Sequence, residues 1–248
     1  MNKIVANLSA AALSLAVAGT AHAAPARNVV LVHGAFTDQT SWDKVAKLLR
    51  RKGFHVTEVA NPMTSLEADV AATRAALAEQ KGPTVLVGHS WGGVVIGEAG
   101  NDPKVSALVY VAAYAPDRGE SLKSLSEGAP PSPGKKALGL DARGYLSLDP
   151  AAFPSLFVGD VPAAEGKALV AHQIPLNSAV FGEEATVAAW HDKPTFYAIS
   201  ANDQMIPPAA EAMFAKRMNA RTVTLPSSHA SPVSHPAEVA ALIERAAR

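Results

Sequence analysis

Cysteine is absent from all 248 residues. That excludes a disulfide framework, a thiolate zinc site and a cysteine nucleophile together. Charge is scarce and balanced: Lys and Arg number 22, Asp and Glu 22, and together they make up 18% of the chain. With zero formal net charge and no run of Lys or Arg, the sequence lacks the electrostatic footprint of a nucleic-acid binder. Long apolar runs are also missing once the first residues are passed, so nothing after residue 23 could span a bilayer. What is present is 48% apolar residues, too many for a largely disordered chain. The length fits one large α/β domain whose core needs no staples.

The first residues read as an address. Lys3 supplies a positive start, residues 4–19 are mostly apolar or small, and Ala21-His22-Ala23 has the small-x-small exit that signal peptidase reads. An apolar stretch of about 16 residues is short of the ~20 that a membrane-spanning helix needs. We therefore expect a signal peptide over 1–23, cleavage after Ala23, and a mature protein that is periplasmic or secreted, with no stable membrane insertion. An exported protein of this size does not need disulfides.

Beyond that, strand and helix patterns alternate. Asn28-Val29-Val30-Leu31-Val32 is a continuous apolar run stopped by His33-Gly34, as expected of a strand buried on both faces. Trp42 to Arg50 repeats its apolar residues at helical spacing. Phe54 to Val59 reads as a strand, and Thr64 with Glu67 predicts a capping box for a helix running to Gln80. Strands follow at Thr84 to Val87 and Val105 to Ala112, with a helix between them over Val94 to Ala99. The alternation returns after residue 194, with strands over Thr195 to Ser200 and Arg221 to Leu225 and helices over Ala209 to Met218 and Ala237 to Ala247. This is the pattern of a mostly parallel sheet covered by helices on both faces. Residues 116–190 break it with several prolines and short amphipathic pieces, yet hold too many apolar residues for a disordered linker. The expected organisation is a core of 24–115 and 191–248, with 116–190 as a small helical cap over the strand ends.

The strongest chemical signal is Gly88-His89-Ser90-Trp91-Gly92, which follows a buried strand and opens a helix. G-x-S-x-G at that junction describes a nucleophile elbow, with small residues where the backbone packs closely. Trp91 can lend its backbone N–H to an oxyanion hole at a helix start. A second N–H can come from Ala35 or Phe36, just after Gly34. The serine needs a base, and His229, just past the last strand, is the candidate. Its rival His235 precedes Pro236 and reads as a helix-start residue; His33 and His89 read as packed supports. Asp203, after the strand Thr195 to Ser200, is the acid that would orient the base. Asp192 falls at the opposite end of that strand and Asp160 in the cap. The order Ser90, Asp203, His229 differs from that of chymotrypsin or subtilisin.

These residues resemble the α/β-hydrolase superfamily over nearly all of the mature chain. Val32-His33-Gly34-Ala35-Phe36 with Ser41-Trp42, the run Val109 to Pro116, and the ending Ser228-His229 with Ser234-His235-Pro236 are similar to one branch of it. That branch holds small plant esterases, hydroxynitrile lyases and bacterial carboxylesterases, including pyrethroid-type enzymes. The resemblance implies an α/β-hydrolase fold, a catalytic His229, and an oxyanion hole from Ala35 and Trp91. Lyases of the branch carry threonine where this chain has Gly34, and lysine where it has Ala230; both departures point to ester hydrolysis. The expectation is a serine esterase acting on small, rather apolar esters. It would use Ser90, Asp203 and His229, with no cofactor and no metal. A cyanohydrin lyase and a non-catalytic small-molecule binder on the same fold are the alternatives. Phe36, Tyr114, Phe157, Phe181 and Trp190 are the expected pocket aromatics.

Overall fold

The computed structural model describes residues 25–127 and 131–248. The expected signal peptide and its cleavage site lie outside the described residues. The first half of the chain runs through β1 (Asn28–Val32), α1 (Asp43–Arg51), β2 (His55–Val59), α2 (Leu66–Ala78), β3 (Thr84–His89), α3 (Gly92–Ala99) and β4 (Val105–Val111). An insertion follows, with α4 (Pro133–Lys136), β5 (Leu138–Leu140), β6 (Tyr145–Leu148), α5 (Phe153–Leu156), α6 (Ala163–Val170) and β7 (Leu176–Asn177). The chain then returns through β8 (Thr195–Ser200), α7 (Pro208–Arg217), β9 (Arg221–Leu225), α8 (Ser231–Ser234) and α9 (Pro236–Ala246).

Six strands form one parallel sheet in the order β2-β1-β3-β4-β8-β9. Period-two alternation sends successive side chains of β1 into different cores. Val29 and Leu31 pack with Val45 and Leu49 of α1 and Leu242 of α9, whereas Val30 and Val32 pack with Val70 of α2 and Val95 of α3. Both faces are thus covered, and every residue of β1 is buried. Each such Val or Leu contributes roughly 1.5–3 kcal/mol by leaving water. All six strands point the same way, so the loops after β1, β3, β8 and β9 gather at one edge of the sheet. No helix among the described residues is long and apolar enough to cross a membrane.

Two expectations need correction. Ser65, not Thr64, caps α2, its hydroxyl accepting from the Ala68 N–H at 3.1 Å. The insertion is also not purely helical. Strands β5, β6 and β7 make a three-stranded antiparallel sheet. A turn at 141–144 closes β5 on β6, with the Asp141 carboxylate accepting from the Arg143 and Tyr145 N–H groups. Gly144 sits there at φ 85°, where a side chain would be strained. The apolar alternation in these strands spans only a few residues, too short to separate from loop before the turn is known.

Candidate active site

Ser90 stands between β3 and α3 with φ 53°, a left-handed conformation unusual for a residue with a side chain. Such strain costs about 1–3 kcal/mol and persists where surrounding contacts fix it. Here the Ser90 N–H donates to the Val111 carbonyl at 3.2 Å, and its own carbonyl accepts from Gly93 at 3.0 Å and Tyr114 at 3.2 Å. The glycines have steric reasons. A Cβ on Gly88 would collide with the Gly92 carbonyl, and one on Gly92 would lie 2.5 Å from the Val32 carbonyl oxygen. Gly34, on the neighbouring strand end, would place a Cβ 2.6 Å from the Cβ of Ser90.

His229 follows β9, and Asp203 follows β8. The His229 Nδ1–H donates to Asp203 Oδ2 at 2.5 Å, and both side chains are buried. The other Asp203 oxygen accepts from the Met205 and Ile206 N–H groups at 2.6 and 2.9 Å. With Nδ1 carrying the proton, Nε2 of His229 is the basic nitrogen. Ser90 and His229 line one cavity without a hydrogen bond between them among the described residues. Free enzymes often close that distance only with substrate bound.

The remaining histidines near the site are supports, as expected. His89 Nε2–H donates to the His229 carbonyl at 3.0 Å. Burial, and then the neighbouring His229, hold the His89 imidazole well below its usual pKa, so it is neutral. His33 accepts from the Asn61 N–H at Nε2 and so donates from Nδ1 to the Gly34 carbonyl, at 3.0 and 2.9 Å; burial lowers its pKa too. His235 precedes α9 as a helix-start residue. Asp160 binds the Ser228 hydroxyl and lies 3.4 Å from His235, not beside His229 Nδ1.

Ala35 and Trp91 line the same cavity as Ser90, and neither backbone N–H is taken by another protein group among the described residues. Trp91 is pinned through its indole: Nε1–H donates to Asp69 Oδ2 at 2.7 Å, and Asp69 Oδ1 accepts from Met63 at 2.8 Å. Burial raises the Asp69 pKa while these donors pull it back. Nothing in the sequence pairs residues 22 positions apart on a helix and an elbow, so this support was not legible there.

Phe36, Tyr114 and Phe181 line the cavity, joined by Leu122, Leu138 and Leu176 from the insertion and by Met205 and Ile206. Phe157 and Trp190 do not line it. The Phe157 ring packs edge-on to His229 with centroids 4.9 Å apart, and its carbonyl accepts from the Ala230 N–H at 3.1 Å. Trp190 is buried, donating to the Pro116 carbonyl at 3.0 Å and stacking on His191. Both aromatics help to seat the insertion. Lys135, not expected, brings an ammonium to the cavity wall; burial pushes its pKa down, and Nζ donates to Ser126 Oγ at 2.5 Å.

The cavity itself is small, about 40 Å³. A larger open groove of about 730 Å³ runs along α2 and α3, but none of Ser90, Asp203 or His229 lines it. Its Glu98 accepts from the Thr186 and Val187 N–H groups and so fastens the insertion. Among the described residues no three His, Asp or Glu side chains converge as metal ligands would.

A parallel sheet with a serine elbow, a histidine and an aspartate at its strand ends defines an α/β-hydrolase. The chain belongs to the alpha/beta hydrolase family, which it matches over residues 29–242. A 118-residue stretch is 32% identical to the carbendazim hydrolyzing esterase of Nocardioides sp. and covers 42% of this chain but only 49% of that protein. The probable hydrolase R7 of Phoma sp. is 28% identical over 206 residues, 75% of this chain and 81% of that protein. Among solved structures, a pyrethroid hydrolase from Sphingobium faniae superposes with a TM-score of 0.76 at 24% identity, covering 89% of this chain and 96% of its own. The methylesterase MES16 from Arabidopsis gives 0.72 at 20% identity, covering 88% and 98%. At these identities the structural likeness speaks for the fold.

Proposed function

We propose that the protein is a serine esterase that hydrolyses small, rather apolar carboxylic esters through an acyl-enzyme. The observation that carries this reading is the His229–Asp203 hydrogen bond aimed at a cavity shared with Ser90 and two free backbone N–H groups. In the reaction Ser90 Oγ attacks the ester carbonyl while His229 Nε2 takes its proton. Asp203 stabilises the imidazolium, and the Ala35 and Trp91 amides hold the oxyanion. His229 then protonates the departing alcohol, and a water activated by the same nitrogen releases the acid. Relatives named for esterase activity support the class of reaction.

The lyase alternative is disfavoured by Gly34 and Ala230, which stand where the lyases this sequence resembles carry threonine and lysine. An apolar wall of Phe36, Leu138, Leu176 and Phe181 suits an uncharged acyl or alcohol group. A cavity of about 40 Å³ holds only a few waters, so an ester enters by parting the side chains of residues 116–190, which act as a cap on the 24–115 and 191–248 core.

The test is hydrolysis of p-nitrophenyl acetate, butyrate and octanoate by the wild type and Ser90→Ala. Ser90→Ala should lose at least about 10,000-fold in kcat while keeping the wild-type circular dichroism. Wild-type rates in the mutant would end the serine-esterase reading. Export with removal of residues 1–23 is the proposed localisation. N-terminal sequencing of the protein expressed with its natural leader should begin at Ala24, and an intact Met1 in the extracytoplasmic fraction would refute cleavage.

A further inference from the structure

Glu211 lies in the first turn of α7, with no solvent exposure, and nothing in the proposed chemistry employs it. Its Oε2 accepts from the Ser200 N–H at 3.0 Å. Its Oε1 has no donor among the described residues. Asp203 is brought beside it by the same residue: Ser200 donates its N–H to Glu211 and accepts from the Asp203 N–H at 3.2 Å, and the two carboxyls feel each other's charge. Two ionised carboxylates cannot share such a dry site without strong repulsion, and one of them keeps its proton. Asp203 already receives hydrogen bonds from Met205, Ile206 and His229, all of which favour its charged form. Glu211 has only the Ser200 N–H. The proton therefore belongs to Glu211.

The other groups nearby do not alter this balance. Tyr197 of β8 and Tyr114 of the loop after β4 are buried nearby, and burial first, with the Asp203 charge adding to it, raises both phenols above their usual pKa. The Tyr197 hydroxyl is engaged with the Ala113 backbone. Arg217, on the same helix as Glu211, is bound to Glu120 and the Ala115 carbonyl instead.

We propose that Glu211 is a neutral carboxylic acid whose Oε1–H donates to Asp203, and that it is a positioning residue holding the triad carboxylate in place for His229. The proposal deepens the esterase reading, because it assigns what fixes Asp203 in that triad. Burial first, and then the charge of Asp203, push the Glu211 carboxyl well above the usual range, in agreement.

The experiment compares Glu211→Gln, which keeps the shape and an N–H donor without any charge, with Glu211→Met, which removes the donor. The pH profile of kcat/KM is measured on p-nitrophenyl butyrate. Glu211→Gln should retain activity within about threefold, with its acid limb unmoved. Glu211→Met should lose ~10- to 100-fold, the size expected for a hydrogen bond to a charged group. Its acid limb should move to higher pH, because an Asp203 stripped of a donor holds the imidazolium more tightly. An acid limb of Glu211→Gln displaced to lower pH would mean that a negative charge had been removed, and would overturn the proposal. So would a Gln variant as impaired as the Met variant.

A second measurement needs no turnover. A carboxyl protonated in the folded state but ionised in the unfolded chain makes stability fall as pH rises above the ordinary carboxylate range. Thermal unfolding of the wild type should lose ground to Glu211→Gln from pH 5 to pH 8, and parallel curves would refute the neutral acid. This readout holds even if Ser90→Ala shows the esterase reading to be wrong, and it stands if the Met variant fails to fold.

Discussion

At the scale of single residues, the geometry around Ser90 is set by what is missing from its neighbours. Gly34 lets the β1 edge approach until any Cβ would meet the serine's own at 2.6 Å. Overpacking of that kind typically costs 1–3 kcal/mol, and here part of the strain would fall on Ser90, the proposed nucleophile. Gly34→Ala should therefore lower kcat on p-nitrophenyl butyrate by ~10-fold or more while shifting the melting temperature only a few degrees. Unchanged kcat would mean that the two strand ends are not tightly coupled. The residues of the elbow, the histidine and the aspartate could be read in the sequence because each sits at a punctuated strand end: Gly88 to Gly92, Asp203 before Ile206-Pro207, His229 after Pro226. Asp69 and Glu211 could not. Each reads as an ordinary acid in the first turn of a helix, the position the helix dipole favours, and only the tertiary packing turns them inward.

Among the elements, the insertion between β4 and β8 was the least legible. Its location followed from the break in alternation, but which face each aromatic turns depends on packing that no local pattern encodes. Hence Phe181 faces the cavity while Phe157 packs on His229. The two should respond differently to truncation. Phe181→Ala enlarges the cavity wall and should raise the octanoate-to-acetate ratio of kcat/KM several-fold, since methylenes in an apolar pocket are worth ~1–3 kcal/mol in discrimination. Phe157→Ala loosens His229, the proposed base, and should depress all three p-nitrophenyl esters about equally. Matching specificity profiles for the two variants would show that the insertion acts on the cavity as a whole. The core elements were easier: β1 is apolar at every position after Asn28, and burial on both faces demands that pattern in a parallel sheet. Helix boundaries were less exact, with α2 capped one residue later than expected and ended at Ala78.

For the whole molecule, two buried ionisations oppose each other between about pH 5 and 7. His89 is kept neutral, so the unfolded chain takes up a proton that the folded one refuses, and stability falls as pH drops below the ordinary imidazole value. Glu211 is kept protonated, so its contribution runs the other way and improves as pH drops. Each proton difference is worth about 1.4 kcal/mol per pH unit. Urea unfolding of Glu211→Gln should then show a steeper loss of stability from pH 6.5 to 5 than the wild type, with His89 no longer opposed. Equal slopes would mean that Glu211 ionises in the folded protein as it does in the unfolded chain. The division into a doubly covered sheet with an insertion was foreseeable from alternation alone, whereas this balance of protons arises from contacts distant in sequence. One joint has a consequence for timing. The loop bearing His229 hangs from the insertion, because the Ala230 N–H and the Ser228 hydroxyl both bind the Phe157 carbonyl. The insertion and the proposed base are therefore fastened to the same carbonyl. Any displacement of the insertion at Phe157 would carry the proposed base with it, so that substrate entry and proton acceptance would be coupled through a single carbonyl.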